Sequence, residues 1–222
     1  MFFFFFTGDL YTRWISLDTA GKDGSEQADS RGADRWIRDT VDRISVATTK
    51  GELGHILARE VSGYSPFDLQ VIGGRLNFEI DRLPSPYREK IRPFFRQQIF
   101  AAHHRLLAME RTGAFHSIND AIDLEKVGKY WAMVPDGCSE WHDESERNPR
   151  FRNPKNRLFY YLIAAFTMFV LDEPGHPVGM PFPGGFTVEQ RKSGYYCLIR
   201  DKEKEIPWSI CNFCPAKQTE EF

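Results

Sequence analysis

Cys197, Cys211 and Cys214 fall in one C-terminal stretch, and the last two form a C-x-x-C in Cys211-Asn212-Phe213-Cys214. With Cys138 they make up the full set of four cysteines in the chain. A thiolate is a soft, charged donor, and four of them suit tetrahedral Zn(II) or an iron–sulfur cluster. The C-x-x-C sets two sulfurs on one tight turn. The spacing therefore predicts one metal centre ligated by Cys138, Cys197, Cys211 and Cys214. Cys138 is far upstream, so such a centre would staple a C-terminal module to the rest of the protein. The plainer reading is four small buried hydrophobes, a common state of free cysteine. A C-x-x-C with further thiols nearby favours the metal. A redox dithiol is the third reading, but the strand-to-helix setting it needs is missing. Zinc ribbons use two such knuckles and this chain has one. A proline directly after the last cysteine, Cys214-Pro215, recurs in iron–sulfur sequences.

Other residues carry weaker chemistry. Glu140-Trp141-His142-Asp143-Glu144 lies beside Cys138. His142 could replace a cysteine as ligand, and the carboxylates could hold a hard cation, but charge runs are more often solvated surface. His176, fixed between Gly175 and Pro177, could be a fourth ligand or a general base; a histidine that holds a loop by hydrogen bonds is the simpler account. Pro181-Phe182-Pro183-Gly184-Gly185-Phe186 is a stiff turn that could bring backbone amides to a ligand, and it lacks the phosphate-loop pattern. Glu52-x-x-His55 is half of a di-iron motif with no second half. His103-His104 points two rings to different faces of a helix. Arg147, Arg150, Arg152, Lys155 and Arg157 flank Phe151 and Phe159, an interleaving that can grip phosphates and stack bases. The patch is short and follows acidic residues, so internal salt bridging accounts for it better. Hydrolase, zincin and dinucleotide motifs are absent.

The elements that must position these residues are mainly helical. The chain has 222 residues, a net charge of −2 and nineteen phenylalanines, which fits one domain with an aromatic core and no broad attraction to nucleic acid or anionic lipid. Few cysteines and no secretory signal point to reduced thiols in a cytoplasmic protein. Met1–Phe6 is too short for a signal-peptide core and reads as a stray or poorly ordered terminus. Residues 7–32 are polar and predict a loosely attached or disordered segment. From Ala33, Trp36, Ile37, Val41, Ile44 and Val46 recur at near-helical spacing. Thr49 and Glu52 form a capping-box pattern for a helix to about Val61. Ser65-Pro66 and Ser85-Pro86 open two more helices, the second running from Pro86 to about Arg111 with Pro93 as a kink. A further helix is expected over Ser117–Met133, then a polar loop over Pro135–Asn153 that contains Cys138. Asn153-Pro154 caps a helix through the apolar run Leu158–Leu171, which is short of the roughly 20 residues of a bilayer span and so reads as core. Pro174 ends it. Phe186–Glu189 and Tyr195–Ile199 read as a β-hairpin.

The segments HPVGMPFPGGF, YYCLIRDKEKE and ICNFCPAKQ, with RLFYYLIAAFTMFV upstream, resemble an uncharacterised protein family of methanogenic archaea, domain of unknown function 2115. The similarity covers about residues 33–222 and is most specific from Arg157 onward. The resemblance implies an archaeal, anaerobic, cytoplasmic setting and no activity. That setting adds to the small lean toward [4Fe–4S] over zinc.

The fold expected is mainly α: a helical body over residues 33–173, and a Pro/Gly loop with a β-hairpin and C-x-x-C module over 174–222. The function expected is a cytoplasmic metal-binding protein whose four-Cys centre is structural, serving as an accessory or binding module for a protein partner, with no membrane partner. Two alternatives stand beside it: an iron–sulfur redox enzyme using His142, Asp143, Glu144 or His176 near the cluster, and a nucleic-acid-binding protein using Arg147–Arg157.

Overall fold

Local capping rules decide where the helices begin. The computed structural model describes residues 24–139 and 153–219, so Met1–Phe6, the acidic run at 140–144 and the arginines at 147, 150 and 152 lie outside the described residues. Helix α1 spans Gly24–Ile44 and so starts inside the polar stretch. Helix α2, Lys50–Ser62, opens with the expected capping box: the Thr49 side chain accepts from the Glu52 amide and the Glu52 carboxylate returns to the Thr49 amide. Helix α3, Pro66–Asp81, repeats the device with Ser65 and Asp68. The Gly73-Gly74 pair does not interrupt it. Helix α7, Pro154–Ala165, starts at Asn153, whose side chain accepts from the Lys155 amide.

The long helix expected from Pro86 is present, with a defect in its middle. Helix α4 covers Tyr87–Arg96 and helix α5 covers Ala102–Arg111. Between them Gln97–Ala101 is π-helical. A second π-helical turn, Phe166–Val170, extends α7; it is closed by the Leu171 amide donating to the Phe166 carbonyl at 3.2 Å. One inserted residue per π turn rotates every side chain that follows.

Two expectations are corrected. The helix predicted over Ser117–Met133 begins later, as α6 over Leu124–Ser139. Residues before it are held in extended form against α2: the Lys50 amide donates to Asp120 at 2.8 Å and the Ile122 amide to Thr48 at 3.0 Å. The predicted loop from Pro135 is helix as far as Ser139, with Pro135 inside it. Val127, Tyr130, Trp131, Val134 and Cys138 keep helical spacing and are all buried, so burial of that stripe outweighs the lost hydrogen bond at the proline. Cys138 therefore sits on a helix.

Helix α7 is the centre of the body. Leu158, Phe159 and Tyr161–Ala165 are buried, and α1, α2, α3 and α6 pack around it. Its backbone also serves as an anchor: the buried Tyr130 hydroxyl donates to the Tyr161 carbonyl at 2.7 Å, and the Tyr64 hydroxyl to the Lys155 carbonyl at 2.6 Å. Replacing a fully enclosed ring such as Phe159 by alanine would cost about 3–5 kcal/mol. Among the described residues no helix is long and apolar enough to cross a membrane.

The C-terminal module is a small sheet of order β1-β2-β3. Strands β1, Glu189–Arg191, and β2, Gly194–Cys197, form an antiparallel hairpin pairing Gln190 with Tyr195. The hairpin starts later than Phe186, because Thr187 bridges back to Pro181. The third strand, β3 (Lys217–Gln218), runs parallel to β2 and pairs Cys197 with Gln218. Gln218 fixes that return: it accepts from the Asp201 amide at 2.8 Å and donates to the Leu198 carbonyl at 2.8 Å.

Candidate functional site

Strand β3 follows the C-x-x-C directly, so its pairing with β2 brings Cys211 and Cys214 toward Cys197. The C-x-x-C lies on a 3-10 turn, Ile210–Phe213. The Cys214 amide donates to the Cys211 carbonyl at 3.2 Å, and the Cys211 amide donates to Ser209 Oγ at 3.3 Å. Phe213 pins this turn to the body, edge-on to Tyr130 with ring centres 5.3 Å apart. The Tyr161 hydroxyl donates to the Trp208 carbonyl at 3.0 Å. The turn is thus held by both α6 and α7.

All four cysteines are free and buried. The three C-terminal thiols lie within electrostatic reach of one another: Cys214 acts on Cys197, and both Cys214 and Cys197 act on Cys211. Burial raises the pKa of Cys197, while the backbone amides of Ile199 and Arg200 donate toward its sulfur and oppose the rise. Burial also raises Cys214, opposed by the amides of Gly175 and Ala216. Cys211 is raised well above the ordinary thiol range by burial, with Ser209 opposing. Cys138 is pushed up to about 12, by burial and then against the pull of Arg157. It lies within electrostatic reach of Tyr64, Tyr130 and Tyr161 in the helical core. Among the described residues no group of three or more His, Cys, Asp or Glu side chains is placed to hold a metal ion.

A cleft of about 330 Å³ opens on the other side of Gly175, within the range of small-molecule sites. Both π-helical turns line it, through Gln97, Gln98 and Ala101 on one side and Thr167 on the other. π turns inserted in α-helices are frequent at functional sites. Gln98 is 7 % exposed. Its Nε2 donates to the Gly175 carbonyl at 2.7 Å, which fixes the orientation of the amide and leaves the buried Oε1 with no hydrogen-bond partner among the described residues. A buried acceptor left unpaired costs about 1–3 kcal/mol, so a native wall that carries one calls for a reason. At the rim Arg105 pairs with Glu173 at 2.7 Å. The sequence did hold a signal for Gln98: it follows Ile91 by seven residues and Phe95 by three, placing an amide on the buried stripe.

The remaining candidates find other employment. His176 packs edge-on to Phe182 at 5.6 Å, and burial lowers its pKa to about 4. Glu52 is occupied as a cap, and His55 Nδ1 lies 2.9 Å from Glu110 Oε2, so the half di-iron motif is a coincidence of spacing. His103 is half-buried, edge-on to Phe159 at 5.2 Å, while His104 is exposed. Lys155 sits over the rings of Trp36 and Tyr64 at 5.2 and 5.1 Å and reaches Asp68 at 3.9 Å, an internal role. The stiff turn at 181–186 closes on itself, with the Phe182 amide donating to the Phe186 carbonyl at 2.7 Å.

The chain belongs to the archaeal family described as uncharacterised protein conserved in archaea (DUF2115), whose model matches residues 49–219. That match takes in Gln98, Gly175 and all four cysteines, and it bears out the resemblance read from the C-terminal segments. A UPF0305 protein of Methanopyrus kandleri is 33 % identical over 138 residues, covering 62 % of this chain and 88 % of that protein. A UPF0305 protein of Methanocaldococcus jannaschii is 23 % identical over 175 residues, covering 77 % and 97 %. One from Methanothermobacter thermautotrophicus is 41 % identical over 58 residues, covering 26 % and 37 %. No solved structure matches the chain.

Proposed function

We propose that this archaeal protein is a cytoplasmic metal–sulfur protein in which Cys197, Cys211 and Cys214 anchor an iron–sulfur centre that locks the C-terminal module to the helical body. The observation that carries the reading is that the pairing of β3 with β2 and the 3-10 turn at Ile210–Phe213 gather three buried free thiols, Cys197, Cys211 and Cys214, in one place. Burial raises the pKa of Cys197 and Cys214 and nearby backbone amides oppose that rise; such donors stabilise thiolate ligands and tune clusters. A tetrahedral zinc with Zn–S of about 2.3 Å would need sulfurs about 3.8 Å apart. The three thiols as they stand do not close around one ion, whereas a cluster interposes iron and sulfide and spreads its cysteines wider. Cys138, buried on α6 among the core tyrosines, stands outside this set of three, and whether it supplies a fourth ligand is separately testable.

Anaerobic purification followed by iron, sulfide and zinc analysis tests the reading. Brown protein with matched iron and sulfide, lost when Cys211 and Cys214 are changed to serine, is the expected result. Colourless protein loaded with zinc would replace the cluster with a structural ion. Folded protein free of metal, or metal content indifferent to those two substitutions, would overturn the proposal.

A further inference from the structure

We infer that His55 and His116 form a two-imidazole site for a borderline divalent cation of the Zn(II) or Cu(II) kind, with Glu110 as the carboxylate behind one ligand. Three elements meet there: His55 is on α2, Glu110 near the end of α5, and His116 on the 3-10 turn Ala114–Ser117. Close packing sets the geometry. Gly54 lets that turn lie directly on α2, since a Cβ there would stand 2.4 Å from Phe115 Cε1. The contact of Gly54 with Phe115 brings the next residue of each element, His55 and His116, side by side. Their ring centres are 6.4 Å apart, with 37° between the ring planes. Metal–N bonds of about 2.0–2.1 Å set the centres of two imidazoles in a tetrahedral shell about 5.2 Å apart. The closure required is about 1 Å, which rotation of either ring supplies: the His55 side chain is 44 % exposed and His116 is exposed.

The His55 ring is already held as a ligand is held. Its Nδ1 stands 2.8 and 2.9 Å from the two carboxylate oxygens of Glu110. A carboxylate only accepts, so Nδ1 carries the proton and the neutral ring keeps its lone pair on Nε2. Metal-bound histidines almost always rest their other ring nitrogen on such an acceptor, which fixes the tautomer and raises ligand basicity. Imidazole donors suit Zn(II), Cu(II) and Ni(II), whereas Mg(II) and Ca(II) take oxygen. Two protein ligands with water completing the shell accord with the finding that no group of three or more such side chains is placed around one point among the described residues. The site uses none of the cysteines, so it does not depend on the sulfur centre.

Titration calorimetry of Zn(II) into the full chain, and the electron paramagnetic resonance of one added equivalent of Cu(II), test it. Zn(II) is expected to bind with a Kd below about 0.1 mM, beyond any metal the protein carries on purification. His116→Asn, made at an exposed position, is expected to weaken that binding at least about tenfold. Glu110→Gln keeps both ligands and is expected to weaken it about tenfold through the orientation and basicity of His55, a change that loss of a surface ion pair alone would not produce. The Cu(II) spectrum is expected to show coupling to two imidazole nitrogens in the parent and to one in His116→Asn. Absence of Zn(II) binding at 0.1 mM, equal affinity in His116→Asn and the parent, or a Cu(II) spectrum of thiolate ligation would each overturn the inference. Thiolate ligation would also place the added ion at the cysteines, so failure here is distinguishable from failure of the sulfur centre.

Discussion

Gln98 and Gly175 are joined by a hydrogen bond of 2.7 Å from the glutamine Nε2 to the glycine carbonyl, and the amide of that same glycine is directed at the sulfur of Cys214. One residue therefore faces the π-helical cleft with its carbonyl and the thiol set with its N–H. Gly175 has little room for anything larger: a Cβ there would stand 2.8 Å from Ile210 Cδ1 and 3.2 Å from Met168 Sδ. Gly175 therefore takes part in both the cleft and the surroundings of Cys214.

Removing the glutamine end of this link has a definite cost. Gln98→Leu keeps most of the volume, deletes the unpaired Oε1 and strands the Gly175 carbonyl. The loss expected is about 1–3 kcal/mol, read from the midpoint of urea unfolding. Gln98→Glu should be worse at neutral pH, because an ionised carboxylate cannot donate to the carbonyl and is itself buried. A leucine variant as stable as the parent would show that the bond carries no net stability.

The cysteines separate into two groups under substitution. Cys197→Ser, Cys211→Ser and Cys214→Ser are each expected to remove most of the bound metal, read as iron and zinc per chain after anaerobic purification. Cys138→Ala removes a sulfur from the helical core beside the tyrosines and is expected to lower stability by about 1 kcal/mol while leaving metal content near that of the parent. Loss of metal in Cys138→Ala would instead make that residue the fourth ligand.

How far the sequence announces this structure depends on the range of the signal. Thr49 with Glu52, Ser65 with Pro66, and Asn153 with Pro154 are local devices, each complete within four residues, and each appears where the pattern places it. The π turns at 97–101 and 166–170 have no such mark, since a π turn is chosen by the packing on both sides of it. Val46 continues the apolar spacing of α1 yet is 70 % exposed, because the helix stops at Ile44 before that face can be used. Pro135 shows the reverse error, where a breaker is overridden by a buried stripe that runs on to Cys138. The parallel pairing of β2 with β3 joins residues about twenty apart across an irregular segment, and no periodicity foretells it. The cleft was not legible, because its walls come from stretches at 97–105, 167–178 and 190–195 and its most buried polar residue is an ordinary glutamine.

Glycines give an independent check on the packing of the body. A Cβ at Gly51 would overlap the carbonyl oxygens of Phe115 and Ile118, which are backbone and cannot step aside. One at Gly137 would overlap the Tyr161 hydroxyl and stand 3.0 Å from Trp208 Cβ. Gly51→Ala and Gly137→Ala are each expected to lower stability by about 1–3 kcal/mol. Gly128 lies in the same helix as Gly137 but has nothing within 4 Å of a built Cβ. Gly128→Ala should raise stability by about 0.5–1 kcal/mol through the helical backbone alone. Thermal and urea unfolding of the three variants check the sign of each; destabilisation by Gly128→Ala would contradict the exposed face assigned to that part of α6.

His176 should make stability depend on pH. Burial holds its folded-state pKa at about 4, against 6.5 for the free side chain. Between those values the unfolded chain binds the proton and the folded chain does not, so acid favours unfolding. The contribution is complete above pH 6.5 and is lost as pH falls toward and below 4, amounting to at most about 3.5 kcal/mol. The slope attributable to this residue is at most about 1.4 kcal/mol per pH unit within that window. Chelator-treated protein unfolded by urea at pH 7.5, 6.5, 5.5 and 4.5, beside His176→Asn, isolates the effect, since asparagine has nothing to titrate there. The parent should lose more stability than the variant across the series, and parallel curves would mean that the ring is protonated within the fold or solvated enough to ionise freely.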